Sequence, residues 1–536
     1  MSKSTLRSLM TDPVIMPALR PALPKLSIGV LSSSLSGLAM LGALWCLVKL
    51  IEDIALPWVV VAVGLWLLGA LFAAAASALA HDAEAAFSAR LRRQVANHVT
   101  RLPATTLSKQ GDQSLRRLVS EDITTLHHMV AHLPSEVTSF AILPLVSIVI
   151  LVSVAGPVAL WVLLPGVIAS LYYLVIVPRV TARDGAARMQ VVGGVISAVD
   201  DYARGIRVNR IYGQQSGALA AYHDATKRFT DSLVMWVSKV ATLAGMAVAL
   251  LQAVATFAIA YLIAYDYDTP VMATILFFSL AVVSPALRLG HGLDYVGAGK
   301  AAASRLIALL QQPILPKGHI TQLSAPFTLN ITDAKMVIDN VQIIDGLTHT
   351  FKTNAVTAIT GPSGVGKTTL LRMLAGFEPL HAGQVQLANT DIAKLDEHTR
   401  HNAVLFVPQG GDVLPATVKD NLLLFAPHAT DQALNAALEC AQLSVDLSAD
   451  AQSLSGGERQ RIGLASVFLS SAPIILLDEP TSALDQARVT KVLKALLHEA
   501  HNQEKTIIMV THDKALADQT DARLELIPNT DLERLS

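Results

Sequence analysis

The chain has 536 residues, which is long enough for two or more domains. Only 15% of the residues are charged, against about 25% in ordinary soluble proteins, and the mean hydropathy is +0.47, so the composition indicates a membrane protein. The net charge of −1 argues against nucleic acid as a partner held by bulk charge. The two cysteines, Cys46 and Cys440, lie in unrelated sequence contexts, which argues against a disulfide framework.

Residues 1–25 are predicted to form a cytoplasmic lead-in that lies on the membrane surface. They include basic residues but no short apolar core followed by a small-residue cleavage site, so no cleavable signal peptide is expected. Pro13, Pro17, Pro21 and Pro24 argue against one long helix in this segment.

Residues 26–312 are predicted to form a membrane domain with six spans. Each apolar stretch has about 20 residues, the length at which a helix crosses the hydrocarbon of a bilayer. The predicted spans are 26–50, 55–80, 136–156, 158–178, 240–265 and 270–290.

The distribution of basic residues orients these spans. Segments 81–133 and 179–238 are long and rich in arginine, whereas the short turns "EDIALP", "AGP" and "YDYDTP" contain no lysine or arginine. By the positive-inside rule the long segments and both termini are cytoplasmic. The alternative, a soluble protein with buried helices, does not explain this asymmetry. The helices are expected to extend into the cytoplasm, where "RLPATTL" and "ARGIRVNRIYG" could contact another domain.

A linker is predicted at 313–326, where Pro313, Pro316, Gly318 and Pro326 interrupt regular structure. From 327 to 536, short β-rich runs alternate with helical stretches. This alternation predicts an α/β domain around a largely parallel sheet.

A phosphate-binding loop is the first motif of this second domain. "AVTAITGPSGVGKTTLLRMLAG" reads as a strand, a glycine-rich loop and a helix, and it fits the P-loop pattern. Backbone N–H groups and the helix N-terminus would hold the phosphates of ATP, Lys367 would reach the β- and γ-phosphates, and the Thr368 hydroxyl would bind Mg²⁺. The predicted phosphate-binding residues are Gly361, Pro362, Ser363, Gly364, Val365, Gly366, Lys367, Thr368 and Thr369.

Two acids supply the partners of this loop. The apolar run "PIILLD" ends in Asp478, and Glu479 follows it. One carboxylate at this place can hold the Mg²⁺ shell, here assigned to Asp478, and the other can polarise the attacking water, here assigned to Glu479. A solvated turn is the alternative, which the preceding phosphate loop argues against.

These motifs resemble the ATP-binding-cassette family over essentially the whole chain. In that family "LSGGE", here Leu454 to Glu458, is the signature loop, which caps the γ-phosphate held by the opposing subunit. The resemblance therefore implies ATP and Mg²⁺ as cofactors and a second half-transporter as partner. The signature residues expected to contact nucleotide are Ser455, Gly456, Gly457 and Glu458.

Three more positions match the family's motifs. Gln409 in "FVPQ" resembles the glutamine that touches Mg²⁺ and water and faces the membrane domain. Asp485 in "SALD" resembles the D-loop acid, and His512 in "VTHD" resembles the switch histidine that contacts the γ-phosphate. A lone histidine is more often structural, but this one ends a β-run shortly after the paired acids, which favours a catalytic role beside Glu479 and Gln409.

The chain departs from the family pattern in two places. The family usually has an aromatic residue that stacks on adenine near the position of Gln342, and none stands there; Phe351 resembles a core residue instead. Weak adenine selectivity is therefore expected. Before the signature the chain has "DLSADAQS" where exporters tend to have an acidic-glycine stretch.

The order of domains resembles the exporter-fold half-transporters. This implies a membrane all-α six-helix domain followed by an α/β P-loop NTPase domain, located in a bacterial inner membrane. The expected function is ATP-driven export of a small-molecule cargo such as a thiol, peptide, lipid or drug-like compound. An "EAA" at 84–86 resembles an importer motif, but Arg90 stands where that motif has glycine.

Two other functions stay open from the sequence: import of a siderophore-like ligand and an ATP-gated regulator without cargo. The partner can be an identical chain or a diverged one. Polar residues within the spans are functional candidates, although snorkelling and loop salt bridges are the alternative for the last three. These residues are Glu52, Asp53, Tyr172, Tyr173, Gln252, Arg288, His291 and Asp294.

Overall fold

The structure is a computed structural model that describes residues 12–171, 191–203, 205–206, 218–236, 238, 245, 256–338 and 341–527. The chain divides into two compact units. One consists of Met1–Asn97 and Asp112–Gln311, and the other of His98–Gly111 and Gln312–Ser536. Residues 98–111 therefore belong to the second unit, whereas the sequence analysis includes them in the membrane domain, 26–312.

The described residues of the first unit form helices joined by turns. Its longer helices are α1 (Leu23–Glu52), α2 (Leu56–Val99), α4 (Asp112–Arg117), α5 (Leu133–Ala155), α6 (Leu164–Leu171), α7 (Ala218–Trp236), α8 (Thr256–Ala264) and α9 (Thr269–Leu310). Short turns complete it: Met16–Leu19 and Ile123–Thr125 are α-helical, Arg20–Ala22 and Pro157–Leu163 are 3₁₀, and Leu118–Asp122 and His128–His132 are π-helical.

Three described helical stretches are long and apolar enough to cross a membrane: Met16–Glu52, Leu56–Val99 and Ser114–Ala155. A shorter apolar stretch, Thr269–Pro285, begins α9. The predicted spans 158–178 and 240–265 fall partly outside the described residues. The count of six therefore remains a prediction of hydropathy.

The lead-in is helical from Met16, as a short α-helix and a 3₁₀ turn that precede α1. Pro17, Pro21 and Pro24 each fall within the first turn of a helical segment, where the missing N–H has no partner to lose. The lead-in also packs against α2, because Arg90 Nε donates to Ala18 O at 2.8 Å and Gln94 Nε2 donates to Val14 O at 2.8 Å. It is therefore held by protein contacts.

Small residues bring α1 and α2 close together. A Cβ added at Gly29 would lie 3.4 Å from Ala76 O, and one added at Gly69 would lie 3.4 Å from Ser36 O. The Ser36 hydroxyl donates to Gly69 O at 2.8 Å. Close backbone approach at small residues is how membrane helices gain packing energy without a hydrophobic driving force.

Helix α2 extends well beyond a bilayer, as the sequence predicts. It has 44 residues, or about 66 Å at 1.5 Å per residue, which is about twice the hydrocarbon thickness. The π-helical turn that ends at Asp122 is tied to α9. Arg305 holds the buried Asp122 carboxylate with two hydrogen bonds, of 2.9 and 2.6 Å.

The second unit is an α/β domain with two sheets. Its helices are α3 (Ala104–Gln110), α10 (Lys367–Leu374), α11 (Glu397–Ala403), α12 (Val418–Leu423), α13 (Asp431–Cys440), α14 (Gly456–Leu469), α15 (Gln486–Asn502) and α16 (Lys514–Ala517). Its strands are β1 (Leu329–Ile338), β2 (Val341–Thr350), β3 (Val356–Thr360), β4 (Ala382–Leu387), β5 (Thr390–Asp391), β6 (Val404–Val407), β7 (Ile474–Asp478), β8 (Thr506–Val510) and β9 (Ala522–Glu525).

The predicted parallel sheet is present, in the order β6-β7-β8-β3-β9. The three central strands are buried along their whole length, which is why they read as continuous apolar runs. A second sheet, β2-β1-β4-β5, is antiparallel and was not predicted. The parallel sheet determines the site, because β7, β8 and β3 are neighbours whose carboxyl ends meet at one edge.

The segment "RLPATTL" contacts the nucleotide-binding fold, as the sequence predicts. Ala104 N donates to Phe377 O at 3.0 Å, and Thr105 N donates to the Glu378 carboxylate at 3.0 Å. Leu315 N donates to Arg101 O at 2.8 Å, which joins the segment to the linker. Most of the second predicted contact segment, "ARGIRVNRIYG", lies outside the described residues.

Candidate nucleotide-binding site

The phosphate loop follows β3 and leads into α10. Gly361 has a φ of +148°, and a Cβ there would lie 2.6 Å from Leu526 O, so no side chain fits. Gly366 caps α10 with a φ of +100°, a conformation that side chains rarely adopt. The loop is thus shaped by backbone conformations available to glycine, and it directs the N-terminus of α10 toward the place of an anion.

Lys367 is buried beneath the loop and points along it. Its ammonium donates to Gly361 O at 2.9 Å and to Pro362 O at 2.8 Å. Burial lowers the pKa of Lys367, while the nearby charges of Glu479 and Asp478 raise it. A positive group held at this place can pair with phosphate oxygens, as the sequence predicts.

Thr368 and Asp478 lie together as a set of oxygen ligands. The Thr368 hydroxyl donates to Asp478 Oδ1 at 3.2 Å. Burial is the main cause of the raised pKa of Asp478, with the charge of Glu479 adding to it and the threonine hydrogen bond opposing it. A carboxylate and a hydroxyl are ligands that Mg²⁺ accepts beside phosphate oxygens, and a cation would favour the ionised form of this acid. The donors therefore fit Mg²⁺.

Glu479 is where the three predicted catalytic residues meet. Gln409 Nε2 donates to Glu479 Oε2 at 2.9 Å, and His512 Nε2 lies 2.9 Å from Glu479 Oε1. Glu479 follows β7 with a φ of +49°, and His512 follows β8. The strand ends thus place an amide and an imidazole each within hydrogen-bond distance of the acid.

Gln460 is a positioning residue that sequence reasoning missed. It is buried on α14, and its amide donates to Glu479 O at 2.7 Å and to the Ser482 hydroxyl at 3.1 Å. It holds the backbone of Glu479, the predicted catalytic acid, from the helix that begins at the predicted signature loop. The sequence offered one indication of this role, because Gln460 lies one helical turn after Gly456 on the same helix.

The signature loop is held by a capping box at the start of α14. Glu458 N donates to the Ser455 hydroxyl at 3.3 Å, and the Glu458 carboxylate accepts from Ser455 N at 2.9 Å. The Ser455 hydroxyl also donates to this carboxylate at 2.7 Å, and this bond, together with the one from Ser455 N, lowers the pKa of Glu458. Ser455 and Gly456 are exposed. Among the described residues, no hydrogen bond joins Ser455–Glu458 to the phosphate loop of the same chain.

Asp485 serves as a helix cap. Its carboxylate accepts from Arg488 N at 2.9 Å and forms an ion pair with the same arginine side chain. Like the signature loop it lies on an exposed surface. Its role toward nucleotide therefore remains a prediction from the family resemblance.

The region in which the family resemblance predicts the adenine contact lies on β2. Gln342 lies on β2 opposite Val337, and its neighbour Ile343 approaches Gly366, whose added Cβ would lie 2.5 Å from the isoleucine Cγ2. Phe351 is buried in the core beneath this sheet, so it cannot stack on a base. An aliphatic side chain thus stands beside the loop.

The first unit has a cavity of its own, of about 600 Å³. Its lining is mostly small, hydroxylated and apolar, with His81, His132, Glu136 and Arg288 as the larger polar groups. The side chains of His291 and Asp294 and the positions of Tyr172, Tyr173 and Gln252 lie outside the described residues. Glu52 and Asp53 are exposed at the turn after α1, away from the cavity lining, and Glu52 pairs with Lys49.

Comparison with known proteins identifies both units. The family model described as "ABC transporter transmembrane region" matches residues 26–285, and the one described as "ABC transporter" matches residues 344–482. The fold is that of a bacterial Atm1-family ABC exporter solved with ATP bound, with a TM-score of 0.72, 19% sequence identity and 96% of each chain covered.

Two curated relatives extend the comparison. The chain is 26% identical over 484 residues, 84% of its length and 52% of the relative, to the mycobactin import ATP-binding/permease protein IrtA of Mycolicibacterium thermoresistibile. It is 30% identical over 254 residues, 45% of its length and 44% of the relative, to the glutathione/L-cysteine transport system ATP-binding/permease protein CydC of Escherichia coli. The chain spans about half the length of these relatives. It belongs to the ABC transporter family, as a half-transporter in which a membrane domain is fused to a nucleotide-binding domain.

Proposed function

We propose that this chain pairs with a second half-transporter and hydrolyses ATP at two composite sites to export a small molecule across a bacterial inner membrane. In each site one subunit supplies the phosphate loop, the Mg²⁺ ligands and the catalytic acid, and the other supplies the signature loop. The exposed, preorganised Ser455 and its lack of hydrogen bonds to its own phosphate loop, among the described residues, support this division. Because the chain has a complete set of both parts, an identical partner would make two competent sites.

The cavity of the first unit supports export. Helices α2, α5 and α9 line it with residues from 73–81, 131–143 and 277–288, the ends of their spans that the charge asymmetry assigns to the cytoplasm. Helix α1 contributes residues 33–44 from the middle of its span. A cargo could therefore enter from the cytoplasmic side. The hydroxyl-rich, partly charged lining suits a small amphipathic molecule.

The direction is tested in membrane vesicles of both orientations. Inside-out vesicles receive external MgATP and right-side-out vesicles are loaded with it. Labelled glutathione, an amphipathic dye and a ferric hydroxamate siderophore serve as probes, with Glu479→Gln as the inactive control. Export is supported if a probe accumulates in inside-out vesicles with the wild type alone. Accumulation only in right-side-out vesicles would overturn it.

Import of a siderophore-like ligand is the second candidate. A specific observation favours it: the relative that matches 84% of this chain is named for mycobactin import. The same cavity would then be the place of release, and the siderophore would be the probe that accumulates in right-side-out vesicles.

A regulator that moves no cargo is the third class. The contact of Glu479 with both Gln409 and His512 argues against it, since a sensor that only binds ATP has no need of a positioned catalytic acid. Hydrolysis without accumulation of any probe, and without stimulation by any probe, would favour this class.

A further inference from the structure

A cluster of histidines in the first unit is unused by the nucleotide chemistry. His81 lies on α2, and His127 and His132 lie on the helical run that leads into α5. Their ring centroids are separated pairwise by 5.2 to 5.4 Å. One nitrogen from each ring can be chosen so that all three lie within 4.8 Å of one another.

A π-helical turn brings two of the three together. His127 and His132 are five residues apart, and in an α-helix this spacing would put them about 140° apart around the axis. The turn His128–His132 is π-helical, with the wider i to i+5 repeat that places such residues on one face. Isolated π turns inside α-helices are frequent at functional sites.

Neighbouring acceptors set the tautomers of two rings. His81 Nδ1 lies 2.8 Å from Ser77 O, and His127 Nδ1 lies 3.1 Å from a carboxylate oxygen of the half-buried Glu84. A carbonyl and an ionised carboxylate can only accept, so the neutral form of either ring would carry its proton on Nδ1 and offer the lone pair of Nε2 to a metal. This is the arrangement in which metal-binding histidines are oriented by a second shell.

We propose that His81, His127 and His132 bind one divalent transition-metal ion, of the Zn²⁺ class, and that its remaining coordination position faces the membrane-domain cavity. Three imidazoles suit Zn²⁺ and similar ions, whereas Mg²⁺ and Ca²⁺ take oxygen ligands. Zn–N bonds of about 2.0–2.1 Å require nitrogens about 3.4 Å apart, so small side-chain rotations complete the site. His81 and His132 both line the cavity, which leaves that side open.

His128 is excluded from the ligand set by its other contacts. Its Nε2 lies 3.5 Å from a Glu136 carboxylate oxygen, and its ring packs on Tyr295 of α9 with centroids 4.9 Å apart. It also touches His132, at 5.3 Å between ring centroids. It is therefore a matched control: the same residue type, beside the cluster, with a different role.

The site would link α2 to the helix that leads into α5. His81 lies 25 residues beyond the start of α2, or about 38 Å at 1.5 Å per residue, which is just past the hydrocarbon of a bilayer that the helix enters at its first residue. Cytoplasmic metal can reach this level. Bound metal would hold two walls of the cavity together near its inner end.

Metal binding to the full chain tests the proposal. The protein is purified in detergent with a tag that contains no histidine, stripped with chelator and titrated with Zn²⁺ and with Co²⁺. We expect one ion per chain, and a Co²⁺ absorption spectrum typical of tetrahedral nitrogen coordination. His81→Gln or His132→Gln should weaken binding at least about 100-fold, Glu84→Gln about 10-fold to 100-fold through its effect on His127, and His128→Gln less than about threefold.

Two further measurements guard against variants that fail to fold. In the wild type, Zn²⁺ should protect His81, His127 and His132 from modification by diethyl pyrocarbonate, as read by mass spectrometry, and should leave the extent of His128 modification unchanged. His81→Cys should add a thiolate-to-cobalt charge-transfer band. Unchanged Zn²⁺ affinity in His81→Gln, equal loss in His128→Gln, or no protection of the three rings would overturn the proposal.

Discussion

Replacing Glu479 by glutamine should separate ATP binding from hydrolysis. The amide is isosteric with the carboxylate, so its oxygen can still accept from Gln409 Nε2, and its NH₂ group can donate to a neutral His512 ring. Residue 479 has a positive φ in the structure, and glutamine differs from glutamate only at the end of the side chain, so the replacement leaves this backbone conformation unchanged. Folding and nucleotide binding are therefore expected to change little, and a closed dimer should accumulate with ATP.

Turnover should fall by about 100-fold or more, because the side chain can no longer accept a proton from water. This corresponds to about 2.7 kcal/mol in the activation free energy. The assay is phosphate release by the purified full chain with its partner, beside fluorescence titration of a nucleotide analogue. Glu439→Gln, an exposed carboxylate on α13 that lies away from β7, is the matched control. Turnover within about threefold of wild type in the Glu479 variant would remove this residue from the catalytic role.

Three other substitutions test separate parts of the structure. Mixing a Ser455→Arg chain with a Lys367→Ala chain should restore about a quarter of the wild-type ATPase sites. Half of the randomly formed dimers contain both variants, and in these dimers both lesions fall in one composite site and leave the other undamaged. If the mixture shows no gain over either variant, the signature loop does not act on the partner's nucleotide. Asp478→Asn keeps an acceptor for Thr368 but removes a buried charge. It should raise the thermal midpoint without nucleotide and abolish the stabilisation by MgATP, so an unchanged MgATP shift would exclude it as a ligand of Mg²⁺. Asp122→Ala should lower the stability of the first unit by about 1–3 kcal/mol by removing a charged pair of hydrogen bonds, and a detergent melting curve equal to wild type would show that the pair contributes nothing.

The nucleotide site was predictable because each part is local in sequence. Strand, glycine loop and helix fall within residues 356–374, and the acid, amide and histidine each follow a buried apolar strand. Parallel strands then bring residues far apart in sequence to one edge of the sheet. The contact of Gln409 and His512 with Glu479 needs only that strand order.

Other features depend on packing that a sequence pattern does not encode. The antiparallel sheet arises because β1 pairs with both β2 and β4. These strands have mixed polarity, and shifts in register interrupt both pairings, so no regular alternation of apolar residues marks them in the sequence. Pro17, Pro21 and Pro24 of the lead-in each lie in the first turn of a helical segment, where proline costs little. Proline marks where a helix can start as well as where it must stop.

The histidine cluster shows the same limit at the level of one turn. Read as an α-helix, "TLHHMVAHLP" pairs His128 with His132 at a spacing of four and turns His127 away from them. The π-helical turn adds His127 to the rings beside His132 and His81, while His128 keeps its contact with His132 and also packs on Tyr295. A periodicity of 3.6 therefore misses one of the three partners. The three proposed ligands come together only because the backbone departs from the regular helix. A π-helical turn has less regular hydrogen bonds than an α-helix, and such turns occur mostly where the side chains that they align have a function.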